Sequence, residues 1–201
     1  LRHHDIPFAV HRIPLFTETM RTELADRFSN YKVPVLLDGE LEIWDSLAIL
    51  EYLAERYPET HGLPEDRAAR AVARSVSAEM HSSFAALRNS MHMNSRRRFP
   101  GFPVSEAVQK DIDRIQTIWN RCRGEHGGEN PWLFGRFSIA DCMYAPVVMR
   151  FKIYDVALTG AAGTYADHLY SSPAIREWIA NAQAEAETID EEEVDWPGEP
   201  I

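Results

Sequence analysis

The fold is encoded most clearly in KVPVLLDGELEIWDSLAILEYLAERYP, residues 32–58. An apolar run at Val33–Leu37 is typical of a buried strand. The Asp38–Gly39 dipeptide that follows is the strongest short-range signal of a β-hairpin, and residues 41–44 alternate as a returning strand would. From Ser46 onward, apolar residues recur at helical spacing until a proline interrupts them. The stretch therefore predicts a strand, a turn, a second strand and an amphipathic helix.

Weaker patterns surround this stretch. Residues 8–13 alternate roughly and predict another strand, and residues 17–28 carry weak helical periodicity. A linker that contains proline and glycine occupies residues 58–64. We therefore expect a small α+β domain over residues 1–58.

Helix-forming sequence dominates the remainder of the chain. The predicted helical segments are residues 65–98, 105–125, 138–156 and 172–187. They predict an all-helical domain over residues 65–188. The acidic tail, residues 189–201, is expected to be solvated and mobile.

The charge balance limits the classes of partner. Acidic residues outnumber lysine and arginine by 31 to 21, which gives a net charge of −10. Such a chain is a poor general ligand for nucleic acid, and its basic run, Arg96–Arg98, is expected to be a solvated helix end. No apolar run approaches the roughly 18 residues of a transmembrane helix, and no histidine–cysteine set has metal-ligand spacing. We expect a cytoplasmic protein with no metal, no nucleic-acid partner and no membrane contact.

Pro34 lies inside an apolar strand, where it removes one ladder hydrogen bond. One interpretation is an ordinary edge strand. The other is a cis bond between Val33 and Pro34, which costs only ~0.5–1 kcal/mol before proline. A cis bond would turn the Val33 backbone outward to pair with a peptide-like ligand. The motif by itself favours neither interpretation.

Asp45 and Ser46 stand where the predicted helix begins. Either side chain can cap the helix. A helix N-terminus also offers spare N–H groups and positive potential to a carboxylate, and Asp45 can face an ammonium group. The pair therefore suits either simple capping or the zwitterionic end of an amino acid.

Two segments together resemble one protein family. Residues 32–58 resemble the glutathione-binding half of the cytosolic glutathione transferases, and WLFGRFSIAD at residues 132–141 resembles the signature of that family's helical domain. In the second segment Ser138 and Asp141 have the spacing of a capping box. The resemblance, to bacterial zeta-like members, implies an α+β thioredoxin-like domain followed by an all-α domain.

The resemblance also implies a glutathione site. Val33 would pair its backbone with the cysteinyl part of glutathione, with Pro34 in the cis form. Asp45 and Ser46 would hold the γ-glutamyl end. Lys32 would reach toward the glycyl carboxylate.

The start of the chain departs from the family's pattern. Members begin with a strand and a helix whose junction carries a Ser, Tyr or Cys that acts on the glutathione sulfur. Residues 1–8 look like the end of that helix. We expect the opening strand to lie outside this sequence, so the catalytic residue is unknown.

A second substrate is expected to bind between the two domains, against the first long helix of the helical one. Met80, Phe84, Arg88 and Met91 recur there at helical spacing. The same stripe also suits a plain core face. In a pocket, Arg88 would meet an acidic substrate or glutathione.

The function that the resemblance implies is glutathione S-transfer, as in detoxification. Glutathione would be the co-substrate, a small electrophile the second substrate, and the protein a homodimer. Two alternatives stay open: a glutathione-dependent isomerase of the maleylacetoacetate isomerase type, and a non-catalytic binding protein with the same fold.

Overall fold

The Asp38–Gly39 turn joins the two strands of the first unit in this computed structural model. Strand β1 spans Val35–Asp38 and strand β2 spans Leu41–Trp44, and the two pair antiparallel. Gly39 has a φ of +61°, which glycine adopts without steric cost. The predicted hairpin is confirmed.

The structure describes residues 1–201, with residue 191 described by its backbone alone. The chain divides into two units, Leu1–Gly62 and Leu63–Ile201. In the first unit, the hairpin is accompanied by two α-helices and two short 3₁₀ turns. These are α1 Glu18–Leu24, α2 Ser46–Arg56 and the turns Arg2–His4 and Pro58–Thr60.

Two expectations for the first unit differ from the structure. Residues 8–13 form no strand, although all of them are described. Val10 is 72% exposed, and an alternating pattern forms a stable strand only where neighbouring strands pair with it. Helix α1 is shorter than the predicted 17–28 because a turn follows it, in which Asn30 and Tyr31 adopt positive φ.

Helices make up most of the second unit. They are α3 Arg67–Ser82, α4 Ala85–Ser90, α5 Glu106–His126, α6 Ile139–Ile153, α7 Gly160–Ser171 and α8 Pro173–Ala184. The segment predicted as helical over residues 65–98 breaks at Ser83–Phe84, where the buried Phe84 has a φ of +61°. Asp111 of α5 accepts a hydrogen bond from the Leu87 N–H at 3.0 Å. A neighbouring helix therefore caps α4.

Helix α6 runs through the core of the second unit, and a buried carboxylate holds its first turn. Asp141 Oδ2 accepts from the Ser138 N–H at 2.8 Å and from the Ser138 hydroxyl at 2.9 Å. Its Oδ1 accepts from the Leu133 N–H at 3.2 Å. The predicted capping box is confirmed. Because most of α6 is buried, this carboxylate determines where the most apolar helix enters the core.

Helix α7 has no counterpart among the predicted helices. Its sequence contains two glycines, which weaken intrinsic helix propensity. Its Ala162 N–H donates to Asn120 Oδ1 at 2.9 Å, and the helix packs against α5 and α6. Tertiary packing therefore stabilises a helix that local propensity does not predict. The buried residues of α7 are Ala162, Tyr165, Ala166 and Leu169.

The acidic tail makes specific contacts with the helical unit, although most of its described side chains are exposed to solvent as expected. Strand β4, Glu199–Pro200, pairs antiparallel with strand β3, Arg97–Arg98. Trp196 Nε1 donates to the Pro100 carbonyl at 3.0 Å, and its ring meets Phe102 edge-on at 5.9 Å between centroids. The basic run is therefore a short strand paired with the tail and not a solvated helix end.

Polar side chains add further contacts between the tail and the rest of the unit. His92 Nδ1 lies 2.5 Å from Glu192 Oε2, and Arg96 Nη2 lies 3.7 Å from Glu193 Oε1. The Arg96 side chain also donates to the Glu185 carbonyl at 3.4 Å. His92 and Glu192 are 100 residues apart in the chain, so no local pattern predicts their pairing.

Asp141 makes the stability of the fold depend on pH. Burial raises its pKa to about 6, whereas an aspartate in an unfolded chain titrates near ~3.9. Because the folded state holds this proton more tightly, the part of the unfolding free energy that comes from the proton is full below pH ~4 and is lost as the pH rises through about 6. We expect the difference in unfolding free energy between wild type and Asp141→Asn to shrink by about 2–3 kcal/mol between pH ~4 and pH ~7. Denaturant titrations at several pH values measure this difference in unfolding free energy. A difference that does not change with pH would contradict the raised pKa of Asp141.

Gly198 lies where the tail approaches two side chains of the unit. A Cβ at this residue would lie 2.8 Å from Phe99 Cε1 and 2.9 Å from Arg97 Nε, and Phe99 is fully buried. We therefore expect Gly198→Ala to separate the tail from β3. The Ile201 N–H, which donates to the Arg96 carbonyl at 3.1 Å, should then exchange with solvent at least about tenfold faster.

Gly124→Ala is the matched control for this experiment. Gly124 lies on the exposed side of α5, and a Cβ there meets nothing within 4 Å. This variant should leave tail exchange unchanged and stabilise the protein by about 0.5–1 kcal/mol. Slow exchange retained at Ile201 in Gly198→Ala would show that the tail does not depend on this contact.

Candidate functional site

The backbone before β1 is open to a ligand. The Val33–Pro34 bond is cis, one of the two interpretations that the motif left open. Val33 is 45% exposed, and among the described residues neither its N–H nor its C=O has a hydrogen-bond partner. Unpaired backbone groups next to a strand can accept a peptide-like ligand as an added strand.

Asp45 caps helix α2. Its Oδ1 accepts from the N–H groups of Leu47 at 2.9 Å and Ala48 at 3.3 Å, so the structure assigns the cap to Asp45 and not to Ser46. Asp45 has φ +74° and ψ 126°, a conformation that costs a non-glycine residue ~1–3 kcal/mol. Strain of this kind persists only where the surroundings hold it, and it concentrates at ligand sites.

Ser46 is the first residue of helix α2. Within the described part of the chain, neither its N–H nor its hydroxyl has a hydrogen-bond partner. The N–H groups that open a helix carry positive partial charge. A carboxylate at this point would accept from both the backbone and the hydroxyl of Ser46.

Two acidic side chains of the hairpin hold neighbouring segments of the first unit. Glu42 on β2 accepts from the Phe28 N–H at 3.0 Å, which holds the turn that leads to the exposed Lys32. Asp38 accepts from the Tyr52 hydroxyl at 2.6 Å, and this hydrogen bond raises the pKa of Tyr52. In each pair the partners are 14 residues apart, so sequence patterns did not predict either contact.

The hairpin register brings the five predicted glutathione-site residues to one end of the hairpin. Val35 lies opposite Trp44 in the paired strands. Residues 32–34 lead into β1, and residues 45–46 follow β2 directly. Both groups therefore lie at the end of the hairpin where helix α2 begins.

The predicted second-substrate residues divide into two sets. Met80, Phe84 and Met91 are 6%, 5% and 0% exposed and pack in the core of the second unit. Arg88 is exposed, and its Nη1 donates to the His81 carbonyl at 3.2 Å. Helical spacing does not distinguish a core stripe from a pocket wall. The pocket stays a prediction, with Arg88 as the member open to a ligand.

Among the described residues, His, Cys, Asp and Glu side chains form no group of three that could hold a metal ion. Burial raises the pKa of both thiols, Cys122 and Cys142, to about 12, which leaves them protonated and weakly nucleophilic. None of the described helices is long and apolar enough to cross a bilayer.

Comparisons with known proteins place the chain in a family. The family model for the glutathione S-transferase N-terminal domain matches residues 1–61, and that for the C-terminal domain matches residues 102–181. A probable maleylacetoacetate isomerase of Caenorhabditis elegans is 34% identical over 161 residues, which cover 77% of this chain and 72% of that protein. The chain belongs to the glutathione S-transferase family.

Other relatives agree with this assignment. Glutathione S-transferase Z1 of Arabidopsis thaliana is 31% identical over 135 residues, 60% of this chain and 57% of that protein. The chain spans 57–58% of the length of three curated relatives that it matches. A glutathione transferase homolog from Burkholderia gl BGR1, solved with bound glutathione, has a TM-score of 0.67 at 22% identity, over 92% of this chain and 88% of that one. The predicted fold, a thioredoxin-like domain followed by a helical domain, is confirmed.

Mutation can separate the observed cap of Asp45 from its predicted contact with the ammonium group of glutathione. Asp45→Ala removes both the cap and the negative charge, whereas Asp45→Asn keeps a capping oxygen and removes only the charge. We expect the alanine variant to lose about 1 kcal/mol of unfolding free energy and the asparagine variant to lose much less. Both should bind glutathione about 3–10-fold more weakly, because a charge-assisted contact to its ammonium group is gone. Denaturation and calorimetry measure the two effects, and wild-type affinity in Asp45→Asn would exclude the ammonium contact.

Proposed function

We propose that this protein is a glutathione S-transferase whose glutathione site consists of Lys32, Val33, Pro34, Asp45 and Ser46. One observation carries the proposal: the Val33 backbone and the Ser46 N–H and hydroxyl are unpaired among the described residues and belong to the same end of the hairpin. Membership of the family supports it.

Each part of glutathione has a partner of matching chemistry. The backbone of Val33 would pair with the cysteinyl amide groups. The α2 N-terminus at Ser46 would hold the γ-glutamyl carboxylate, with Asp45 facing the ammonium group. Lys32 would pair with the glycyl carboxylate. Contacts at both ends of the tripeptide would orient the sulfur between them.

In the proposed transfer, a bond forms between the glutathione sulfur and an electrophilic carbon. The leaving group departs with the electron pair of its broken bond, and the thiol proton passes to solvent. The described glutathione site supplies binding and orientation. Positive potential at the α2 N-terminus and at Lys32 balances the two carboxylates of the bound tripeptide.

A glutathione-dependent isomerase is the second candidate. The relative named a probable maleylacetoacetate isomerase, 34% identical over 77% of this chain, favours it. In such a reaction the sulfur adds to a conjugated double bond, the resulting single bond rotates, and elimination returns glutathione. Transfer consumes one glutathione per product, whereas isomerisation consumes none, so a glutathione balance during turnover separates the two candidates.

We also propose that the protein acts as a homodimer in the cytoplasm and removes small electrophiles. The family assignment supports these proposals. The negative net charge of −10 agrees with a small-molecule substrate because it disfavours binding to nucleic acid.

Ser46→Ala tests the glutathione site. The variant removes one hydroxyl donor to the γ-glutamyl carboxylate but leaves the Asp45 cap in place. We expect glutathione affinity, measured by titration calorimetry, to fall about tenfold or more, because hydrogen bonds to charged groups contribute ~1.5–3 kcal/mol. The thermal midpoint should change little.

Ser75→Ala is the matched control. Ser75 is exposed on α3, where its hydroxyl donates to the Ala71 carbonyl at 3.0 Å. We expect this variant to bind glutathione as wild type does. Unchanged affinity in Ser46→Ala, or an equal loss in both variants, would refute the site.

A further inference from the structure

A cleft of about 180 Å³ lies within the helical unit, where the acidic tail begins. Ser95, from the segment that follows α4, lines one side of it, and Trp178 of helix α8 lines another. Glu187, from the segment that joins α8 to the tail, and Glu192 of the tail line the third. Sites for drug-sized ligands have volumes of roughly 300–1,000 Å³. This cleft therefore suits a smaller molecule.

Ser95 is a buried polar side chain in this cleft with no partner of its own. It is 7% exposed, and among the described residues its hydroxyl makes no hydrogen bond. The neighbouring Asn94 differs, because its Nδ2 donates to Glu193 Oε1 at 3.3 Å and its Oδ1 accepts from the Arg96 N–H at 3.1 Å. Burial of a hydroxyl without a hydrogen bond is unfavourable. A ligand with a donor group would satisfy the Ser95 oxygen.

Negative charge is in excess around the cleft. Among the described residues that line it, four are glutamates and one is an arginine. That arginine, Arg96, is already engaged: its Nη1 donates to the Glu187 carbonyl at 3.4 Å, and its Nη2 lies 3.7 Å from Glu193 Oε1. His92 contacts Glu192 at 2.5 Å, and even a charged His92 would leave the carboxylates in the majority. The surroundings therefore favour a cation over an anion.

Two apolar side chains complete the lining. Trp178 is 40% exposed and Met93 is 37% exposed. An indole attracts a cation through its π face and packs well against apolar groups. A thioether is polarisable and adapts to the shape of a ligand. The cleft thus offers an acidic part and an apolar part to the same molecule.

We propose that this cleft is a binding site for a small organic cation, which consists of an ammonium group on a compact apolar body. The ammonium group donates to the Ser95 hydroxyl and lies among the glutamate carboxylates. The apolar body packs against Trp178 and Met93. This site belongs to the helical unit alone, and binding there does not depend on the proposed transferase activity.

Benzylammonium and benzyl alcohol test the charge of the ligand, because they differ by one positive charge and hardly in shape. Each is titrated into the full chain without glutathione, and the amide chemical shifts of residues 93–96 report binding at the cleft. We expect wild type to bind benzylammonium about tenfold more tightly than benzyl alcohol. Equal affinity for the two probes, or shifts that leave residues 93–96 unmoved, would overturn the proposal.

Ser95→Ala and Glu187→Gln test two groups of the cleft. Ser95→Ala removes the unpaired hydroxyl, and we expect it to weaken benzylammonium binding about tenfold. Glu187 is exposed, so Glu187→Gln removes one negative charge without disturbing the core, and we expect about a threefold loss. Affinity for benzyl alcohol should change little in Glu187→Gln. Wild-type affinity for benzylammonium in both variants would contradict the site.

Glu106→Gln is the matched control. It removes the same charge from the exposed face of α5, where Glu106 pairs with Lys110 at 2.8 Å. This variant should bind benzylammonium as wild type does. A loss as large as that in Glu187→Gln would also overturn the proposal, because the cation would then respond to the net charge of the protein and not to this cleft.

Discussion

The carboxylate of Asp141 is the interaction on which the helical unit depends. It is fully buried and accepts hydrogen bonds from Ser138 and Leu133, so three donors that would otherwise be unsatisfied have a partner. Helix α6 starts at this carboxylate, and α3 and α7 pack against α6. Burial of the charge has a cost, visible as the raised pKa of Asp141. The hydrogen bonds that Asp141 accepts at the start of the central helix offset this cost.

An aspartate also caps a helix in the first unit, but at an exposed position. This aspartate, Asp45, is exposed and strained, and its cap leaves the first N–H of α2 without a partner among the described residues. Asp141 accepts hydrogen bonds from buried N–H and O–H groups in the core. Asp45 accepts from Leu47 and Ala48 and leaves the Ser46 N–H free at the surface. Both aspartates are therefore structural caps, and the exposed one is also open to the ligand of the proposed glutathione site.

The tail brings its acidic residues to side chains of the helical unit. Arg96 pairs with Glu193, and the His92 ring contacts Glu192. Arg88 and Arg150 have no carboxylate within ion-pair distance among the described residues. The acidic tail therefore pairs with Arg96 but not with Arg88 or Arg150.

The sequence by itself determined the hairpin at Asp38–Gly39, helix α2, the capping box of Ser138 and Asp141, and the family. The first three depend on turn chemistry, periodicity and capping, which act over a few residues and are visible in the chain, whereas the family was inferred from the resemblance of two segments to known members. Only the tertiary structure decided that α7 is helical, that residues 8–13 are not a strand, that Met80, Phe84 and Met91 are core, and that the tail pairs with β3. These outcomes depend on which surfaces meet. Partners 14 to 100 residues apart leave no local pattern, because burial and long-range pairing are properties of the folded chain.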